Sequence, residues 1–144
     1  MSNDNNIKGR LTELNCITAF TEMGAVVSIP FGEDSRYDFI ADNGKKLIRL
    51  QCKTASPVYE DEKIAAIVFK TIRQGGSSGK WTRIKYTRQE IDYFATFWDG
   101  KCYIVPVEEC SNEKRLRFLP TKNNQTKGIN FAKDYELKEV YQKL

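Results

Sequence analysis

A β-hairpin predicted over residues 37–54 constrains the fold of this chain more than any other stretch. Its sequence, YDFIADNGKKLIRLQCKT, places β-forming residues on both sides of Asn43-Gly44. Asn-Gly favours a two-residue type I′ turn because both residues tolerate positive φ angles. We therefore predict that Asp42 and Lys45 close the turn and that the two flanking strands pair antiparallel.

The alternation of side chains along these strands predicts one apolar and one polar face. The register set by the turn pairs Ile40 with Leu47 and Asp38 with Arg49. The apolar face, which we expect in the core, comprises Tyr37, Phe39, Ile48, Leu50 and Cys52. The polar face comprises Asp38, Arg49, Gln51 and Lys53.

The polar face has two interpretations. An acid, an amide and a lysine gathered on one face are typical of a functional site. The plainer alternative is a solvated sheet face with a surface ion pair between Asp38 and Lys53, worth about 0–1 kcal/mol. The hairpin by itself does not decide between them.

Length and composition indicate one soluble domain over residues 1–144. The chain has 144 residues, of which 40% are hydrophobic and 29% charged, as is typical of a globular protein with its own core. No apolar run approaches the ~18 residues of a membrane span. The polar start, MSNDNNIKGR, lacks the apolar segment of a signal peptide. We expect a cytoplasmic protein with no membrane partner.

The absence of histidine and the spacing of the cysteines limit the catalytic groups and metal sites that this chain can form. The chain contains no histidine, which excludes catalytic triads and nucleases that use an imidazole. Its four cysteines form no C-x-x-C pair, so we expect free thiols and no structural zinc site. Any hydrolytic chemistry must then use carboxylates, lysine and a hard metal ion.

The net charge of +4 is unevenly distributed along the chain. Residues 70–89 carry six lysines and arginines and no acid, whereas residues 111–144 carry eight against four acids. The first segment contains RQGGSSGKWTR, which we predict to be a flexible loop over residues 73–83. Such a basic loop indicates binding to a polyanion. The alternative is a solvated loop whose tryptophan packs on the core.

A first helix is predicted over residues 5–23. Ile7, Leu11 and Leu14 recur at helical spacing, and a glycine follows as the stop signal. Glu13 borders the arc of this helix that we expect to be buried. The helix therefore brings one acid to the edge of the core.

The rest of the pattern predicts a mixed α/β domain. A second helix over residues 86–98 would begin with a capping box made of Thr87 and Glu90. The other expected elements are strands at residues 25–30, 63–72, 101–107 and 115–120, and a closing helix at residues 132–144.

This order of elements resembles the PD-(D/E)XK nuclease superfamily. That family has a core of helix, three strands, helix and strand. An acid begins its second strand, and a (D/E)-x-K triplet ends its third. Here SRYD supplies Asp38, and QCK supplies Gln51 and Lys53. Glu13 matches a glutamate that many members carry in the first helix.

Within that superfamily the chain is most similar to the small homing endonucleases encoded in bacterial group I introns, which use Q-x-K. It departs from the general pattern because Tyr37 stands where a proline precedes the acid, and Gln51 replaces a carboxylate. The likeness covers about residues 5–107, and a basic C-terminal extension follows at residues 108–144. It implies a central mixed β-sheet flanked by helices.

The resemblance implies a Mg²⁺-dependent, site-specific endonuclease that hydrolyses phosphodiester bonds in double-stranded DNA, with Mn²⁺ as a substitute metal. Asp38 would be the main metal ligand and the backbone carbonyl of Cys52 another, while Glu13 would act through water or on a second ion. Lys53 would orient or deprotonate the attacking water, or stabilise the developing charge. Gln51 would position water or coordinate weakly.

Some of these residues also have purely structural interpretations. Glu13 could pair with Arg10 on the helix surface. Gln51 could be a plain strand residue. For Arg49 we expect an ion pair with Asp38 rather than a phosphate contact.

The family also implies contacts with DNA, which the basic segment would supply. Its cations would neutralise phosphates, and its arginines and glutamine would reach base edges. The expected contact residues are Lys70, Arg73, Gln74, Lys80, Trp81, Arg83, Lys85 and Arg88. One active site cuts one strand, so we expect a homo-oligomer, either a dimer or a tetramer.

Three other functions remain open on the sequence. The first is a resolvase of four-way DNA junctions, which has a similar core. The second is a DNA-binding module that lost catalysis through Gln51. The third is a protein-binding domain without a nucleic-acid role.

Overall fold

Ten strands and two α-helices make up the described part of the chain. A computed structural model describes residues 4–75 and 82–144, apart from the side chains of residues 74, 75, 82 and 83. The first half contains α1 (Asp4–Glu22), β1 (Val26–Ser28), β2 (Phe39–Asp42), β3 (Leu47–Cys52), β4 (Ser56–Glu60), β5 (Lys63–Lys70) and β6 (Ile72–Gly75). The second half contains β7 (Thr82–Lys85), β8 (Tyr93–Trp98), β9 (Lys101–Pro106), β10 (Glu113–Arg117) and α2 (Leu137–Val140).

The central sheet has the mixed character that the sequence predicts. Its strand order is β1-β2-β3-β8-β9, with β3 parallel to β8 and the other neighbours antiparallel. Helix α1 and the C-terminal segment cover one face. A second sheet of order β10-β5-β4 packs on the other. The fold is therefore α/β, as predicted, although a sheet replaces the helix expected on the second face.

Side-chain alternation along β8 and β9 divides the core between these two layers. Ala95 and Ile104 join the cluster under α1, whereas their neighbours Phe94 and Val105 join the cluster under the second sheet. All four are buried because β8 and β9 are covered on both faces. The central sheet is thus held rigidly from both sides.

Helix α1 forms as predicted, and Glu13 borders its buried arc as expected. Thr12, Cys16 and Phe20 point into the core, and Glu13 lies half-buried beside them. The apolar residues whose spacing predicts the helix, Ile7, Leu11 and Leu14, are exposed on the opposite side. Their spacing therefore identifies the helix but not its buried face.

The hairpin register is two residues away from the predicted one. Asp42 pairs with Leu47 and Ile40 with Arg49, so the loop has four residues instead of two. Asn43 accounts for the longer loop, because its Oδ1 accepts hydrogen bonds from the backbone N–H groups of Lys45 and Lys46, both at 2.9 Å. A shift of two residues preserves the faces, so Phe39, Ile48 and Leu50 are buried as expected.

Tyr37 departs from the predicted apolar face. It precedes β2 and packs against the second core cluster, whereas Phe39 and Leu50 belong to the first. The alternation that the prediction assumed does not extend to residue 37 because the strand begins only at Phe39.

The helix predicted over residues 86–98 is wrong. Half of the capping box forms, with Thr87 N–H donating to Glu90 Oε1 at 3.0 Å, while Glu90 N–H donates to the Thr87 carbonyl and not to its hydroxyl, and only one turn follows. The guanidinium of Arg49 donates to the carbonyls of Arg88 and Gln89, at 2.7 and 2.5 Å. An α-helix would need those carbonyls for its own hydrogen bonds, so the chain continues as strand β8.

Several shorter predictions also change. Strand β4 was not predicted, and β6 and β7 lie within or beside the segment predicted as a loop. The strand expected at 115–120 is β10, which begins two residues earlier. The closing helix is broken into two 3₁₀ turns around α2. No helix among the described residues is both long and apolar enough to cross a membrane.

Candidate active site

The start of β2 and the end of β3 place Asp38 next to Cys52. Asp38 N–H donates to the carbonyl of Leu50 at 2.7 Å, which anchors the residue just before β2. The backbone N–H of Cys52 donates to Asp38 Oδ2 at 2.7 Å. This pair of bonds fixes both the backbone and the carboxylate of Asp38, so its remaining oxygen has a defined direction.

Helix α1 brings Glu13 to the same place. The hydroxyls of Thr12 and Thr54 lie 3.2 Å apart and join the helix to the chain immediately after β3. Glu13, Asp38 and Gln51 consequently line one cleft of about 440 Å³. The other residues that line it are Asn6, Gly9, Arg10 and Cys52.

The two carboxylates in this cleft resist ionisation. Burial raises the pKa of Asp38, while the hydrogen bond from Cys52 and the charge of Lys53 lower it and only partly compensate. Burial also raises the pKa of Glu13, and the negative charge of Asp38 raises it further. Two acids that oppose each other's ionisation in one cleft favour the binding of a cation.

The donor atoms fit a hard divalent ion such as Mg²⁺. The cleft offers two carboxylates and the amide oxygen of Gln51, and Mg²⁺ prefers oxygen ligands and retains several waters. The carbonyl of Cys52 points to the same side of β3 as its N–H, and therefore toward Asp38. Within residues 4–75 and 82–144, no group of three or more acidic, cysteine or histidine side chains is placed to hold a metal.

Lys53 lies beside this cleft but does not line it. Its Nζ donates to the carbonyl of Ile72 at 3.3 Å and lies 5.0 Å from the ring centroid of Tyr86. Burial lowers the pKa of Lys53, the charge of Asp38 raises it, and the charge of Arg36 lowers it. A lysine with a lowered pKa can exchange a proton more readily than an ordinary one.

The two ion pairs that were the structural alternatives for Asp38, Lys53 and Glu13 do not form. In the described ranges, no ion pair joins Asp38 to Lys53 or Glu13 to Arg10. The pair expected between Arg49 and Asp38 is also wrong. The shifted hairpin register places Arg49 against Asp92, with Nε at 3.1 Å from Oδ2 and Nη2 at 3.1 Å from Oδ1.

Six of the eight residues predicted to contact DNA lie in or beside a two-stranded ribbon formed by β6 and β7. Arg73 and Lys85 are exposed on these strands, and Lys70 and Arg88 are exposed just beside them. Gln74 and Arg83 pair in the ribbon through their backbones, but their side chains lie outside the described part. Lys80 and Trp81 lie wholly outside the described residues.

Sequence reasoning missed Arg36 as a residue near the site and gave Tyr86 no role in it. Arg36 Cζ lies 4.1 Å from the ring centroid of Tyr86, and that ring in turn contacts Lys53. No motif marks either residue. Only the position of Arg36, two residues before Asp38 in SRYD, could have drawn attention to it.

Another cavity in the described structure, of about 490 Å³, lies away from these acids. Its lining includes Tyr103, Arg117 and Phe131. The guanidinium of Arg117 is already engaged by Glu60 at 2.8 Å through two nitrogens. This cavity has the larger volume but lacks a pair of acids, so the smaller cleft is the better candidate for hydrolytic chemistry.

Comparison with known proteins gives a family match and a structural match for the chain as a whole. Residues 3–138 match a family model described as PD-(D/E)XK endonuclease. Among solved structures, the bacterial homing endonuclease I-Ssp6803I is similar, with a TM-score of 0.77 and 18% sequence identity over 98% of this chain and 95% of that chain. At that identity the likeness shows the fold alone. No curated protein matches the chain.

Proposed function

Since the chain belongs to the PD-(D/E)XK endonuclease family, we propose that it cleaves double-stranded DNA at specific sites with the help of Mg²⁺. The observation that carries this proposal is the meeting of Asp38, Glu13 and Gln51 in one cleft. Asp38 and Gln51 come from the two arms of one hairpin, and Glu13 comes from a helix that is separate in sequence. The family motif and the geometry therefore point to one place.

We assign the metal to the oxygen atoms of this cleft. Asp38 is the main ligand because Cys52 holds one of its oxygens, at 2.7 Å, and fixes the direction of the other. The Cys52 carbonyl is a second ligand, and Glu13 acts through water or on a second ion. Bound Mg²⁺ would lower the pKa of a coordinated water and neutralise charge on the phosphate.

The remaining residues act on the attacking water and the developing charge. Gln51 offers its amide oxygen as an acceptor and thereby orients the water. Lys53 is half-buried next to Asp38, and its lowered pKa leaves its amine unprotonated, and so able to accept a proton, more often than the amine of an exposed lysine. The neutral Gln51 leaves Glu13 as the second source of negative charge.

We propose that the ribbon of β6 and β7 contacts the DNA. Arg73 and Lys85 are exposed on its strands and carry no acidic partner among the described ion pairs. Free cations on a two-stranded ribbon suit the phosphates that flank a groove. Because one site cuts one strand, two copies would act together on a duplex.

The test is cleavage of a diverse plasmid library at low salt. The wild type and the variants Asp38→Asn and Lys53→Met are compared in Mg²⁺ and in EDTA, and cleaved ends are sequenced. We expect cleavage by the wild type in Mg²⁺ only, at a small set of sequences, and its loss in both variants. A library of four-way junctions in parallel separates a duplex cutter from a resolvase.

Matched controls come from exposed residues of the same types. Asp34→Asn lies in the loop before Asp38, and Lys63→Met lies at the start of β5. Both should cleave as the wild type does. Cleavage that survives in Asp38→Asn would refute the assigned site, and DNA binding without Mg²⁺-dependent cleavage would show a binding module instead.

A further inference from the structure

The Lys53 ammonium is held by two groups outside the motif. It donates to the carbonyl of Ile72 at 3.3 Å and lies 5.0 Å from the centre of the Tyr86 ring. A cation within about 6 Å of a ring centroid is attracted by the ring's negative face. Lys53 follows the last residue of β3, so its side chain depends on such contacts for a fixed direction.

The Tyr86 ring is itself fixed on several sides. It meets Phe94 edge-on, with centroids 5.3 Å apart and planes at 86°. Arg36 places its guanidinium 4.1 Å from the ring centroid and donates to the carbonyl of Lys85 at 3.3 Å. Arg36 Nε is in turn 2.7 Å from Glu90 Oε2, an ion pair without hydrogen-bond geometry.

These contacts form a chain from Glu90 through Arg36 and Tyr86 to Lys53. The Arg36 side chain is only 18% exposed, so its charge is largely removed from water and its position is well defined. Nothing in the core requires two cations on one tyrosine, because Phe94 and its neighbours already bury the inner edge of the ring. The arrangement brings a second cation, Lys53, to the same ring.

We propose that Tyr86 is a positioning residue for Lys53, and that Arg36 holds the Tyr86 ring in place for this purpose. The proposal rests on the proposed function, because it assigns the ring a role in the cleavage step. Tyr86 does not line the cleft that contains Glu13 and Asp38. Its effect on the reaction passes through the Lys53 ammonium.

The same contacts join the lysine to the proposed DNA ribbon. Ile72 is the first residue of β6, and Tyr86 directly follows the last residue of β7. Ile72 pairs with Lys85 at the base of the ribbon, so both groups that hold Lys53 belong to this base. If the ribbon were displaced from its position on bound DNA, the Lys53 side chain would therefore be displaced with it.

The experiment compares Tyr86→Phe, Tyr86→Leu and Arg36→Gln with the wild type. Phe keeps the ring and removes the hydroxyl, whereas Leu removes the ring. Tyr59→Leu, at an exposed tyrosine on β4, is the matched control. Two quantities are measured: the NMR shift of the Lys53 ε-methylene protons, assigned with Lys53→Arg, and the single-turnover cleavage rate alongside DNA affinity in Ca²⁺.

The expected result separates the ring from the hydroxyl. In the wild type and in Tyr86→Phe, the ring current shields the ε-methylene protons, and both proteins cleave at similar rates. In Tyr86→Leu the shielding disappears, and the cleavage rate falls by at least about tenfold while DNA affinity stays the same. Arg36→Gln should show the same changes to a smaller extent.

The results that would refute the positioning role of Tyr86 differ from those that would refute the proposed nuclease function. A folded Tyr86→Leu protein that cleaves like the wild type refutes the positioning role, as does an unshielded Lys53 in the wild type. If Tyr86→Leu does not fold, as judged by its Tm, Arg36→Gln decides by the same two measurements. A wild type that cleaves nothing refutes the proposed function, and the NMR shift still tests whether Tyr86 holds Lys53.

Discussion

Single residues in the cleft carry charges that the fold does not stabilise. Asp38 and Glu13 both have pKa values raised by burial, and Asp38 adds its charge to the effect on Glu13. Such groups reduce the stability of the folded protein at any pH where they are ionised. Their presence in an otherwise well-packed domain is typical of a functional site.

Glu13→Gln should therefore stabilise the metal-free protein. A raised carboxyl pKa means that ionisation of Glu13 opposes folding above its folded-state pKa and has no effect below its unfolded-state value, 4.5. In EDTA at pH 7 we expect a Tm rise of about 1–2 °C, and no change near pH 3. Glu22→Gln at the end of the same helix should show neither effect, and a lower Tm for Glu13→Gln at pH 7 would contradict the argument.

Sequence patterns predicted that Asp38 and Glu13 lie on the same side of the sheet, but they did not predict the direction of the Lys53 side chain. Asp38 and Gln51 flank one turn of a hairpin, and Glu13 borders a helix face, so local periodicity predicts their side. Lys53 takes its direction from Tyr86 and the Ile72 carbonyl. Those contacts depend on how β6 and β7 fold back on the core, which no local pattern encodes.

Among the secondary-structure elements, Arg49 ends the helical turn that follows Thr87. Its guanidinium donates hydrogen bonds to the carbonyls of Arg88 and Gln89. The same guanidinium pairs with the Asp92 carboxylate, and Asp92 N–H donates to the Arg49 carbonyl at 3.0 Å. The turn after Thr87 is thereby locked to β3, and β8 starts in parallel register with it. This link holds the strand that supplies Gln51 and Lys53.

Asp92→Asn should destabilise the protein in a pH-dependent way. Burial opposes ionisation of Asp92, but the hydrogen bonds from Arg49 outweigh it and lower the pKa of Asp92. The pair therefore stabilises the fold above the unfolded-state pKa of 3.8, and this contribution is lost as the pH falls through the lower folded-state value.

Urea unfolding at several pH values measures this effect. Because the pair is partly exposed, we expect a loss of about 1 kcal/mol at pH 7 that shrinks toward pH 2–3. Asp34→Asn, in an exposed loop, serves as the control. A loss that is the same at all pH values would show that packing, and not the ion pair, is responsible.

Sequence patterns predicted long-range pairing less well than local structure. The β-rich stretch YFATFW was assigned to a helix on the strength of its capping box, although aromatic and β-branched residues favour strands. The bond from Thr87 N–H to the Glu90 side chain does form, yet tertiary hydrogen bonds end the helical turn there. The second sheet escaped prediction for two reasons. Strand β4 was not recognised, although it forms a local hairpin with β5, and β10 reaches β5 from far along the chain.

In the molecule as a whole, the ribbon of β6 and β7 and the cleft that contains Asp38 are separate surfaces. They are connected through the contacts of Lys53. Arg73 is exposed on β6, whereas the cleft opens between α1, the start of β2 and the end of β3. DNA affinity and cleavage should therefore respond to different substitutions. This separation is a direct consequence of the fold.

Arg73→Gln should weaken DNA binding through a lost phosphate contact. The slope of log affinity against log salt should become shallower by about 1, as for each phosphate contact that is removed. Fluorescence anisotropy over a range of NaCl concentrations measures it, with Lys63→Gln on the second sheet as the control. An unchanged slope would place the DNA elsewhere.

The central claim is that Asp38 anchors a divalent cation in the cleft. Electron paramagnetic resonance of Mn²⁺ titrated into the wild type, Asp38→Asn and Asp34→Asn tests it without knowledge of the target sequence. We predict that the wild type and Asp34→Asn bind Mn²⁺ equally and that Asp38→Asn binds it at least about tenfold more weakly. Equal Mn²⁺ binding by all three proteins would contradict the assignment of this cleft as the metal centre.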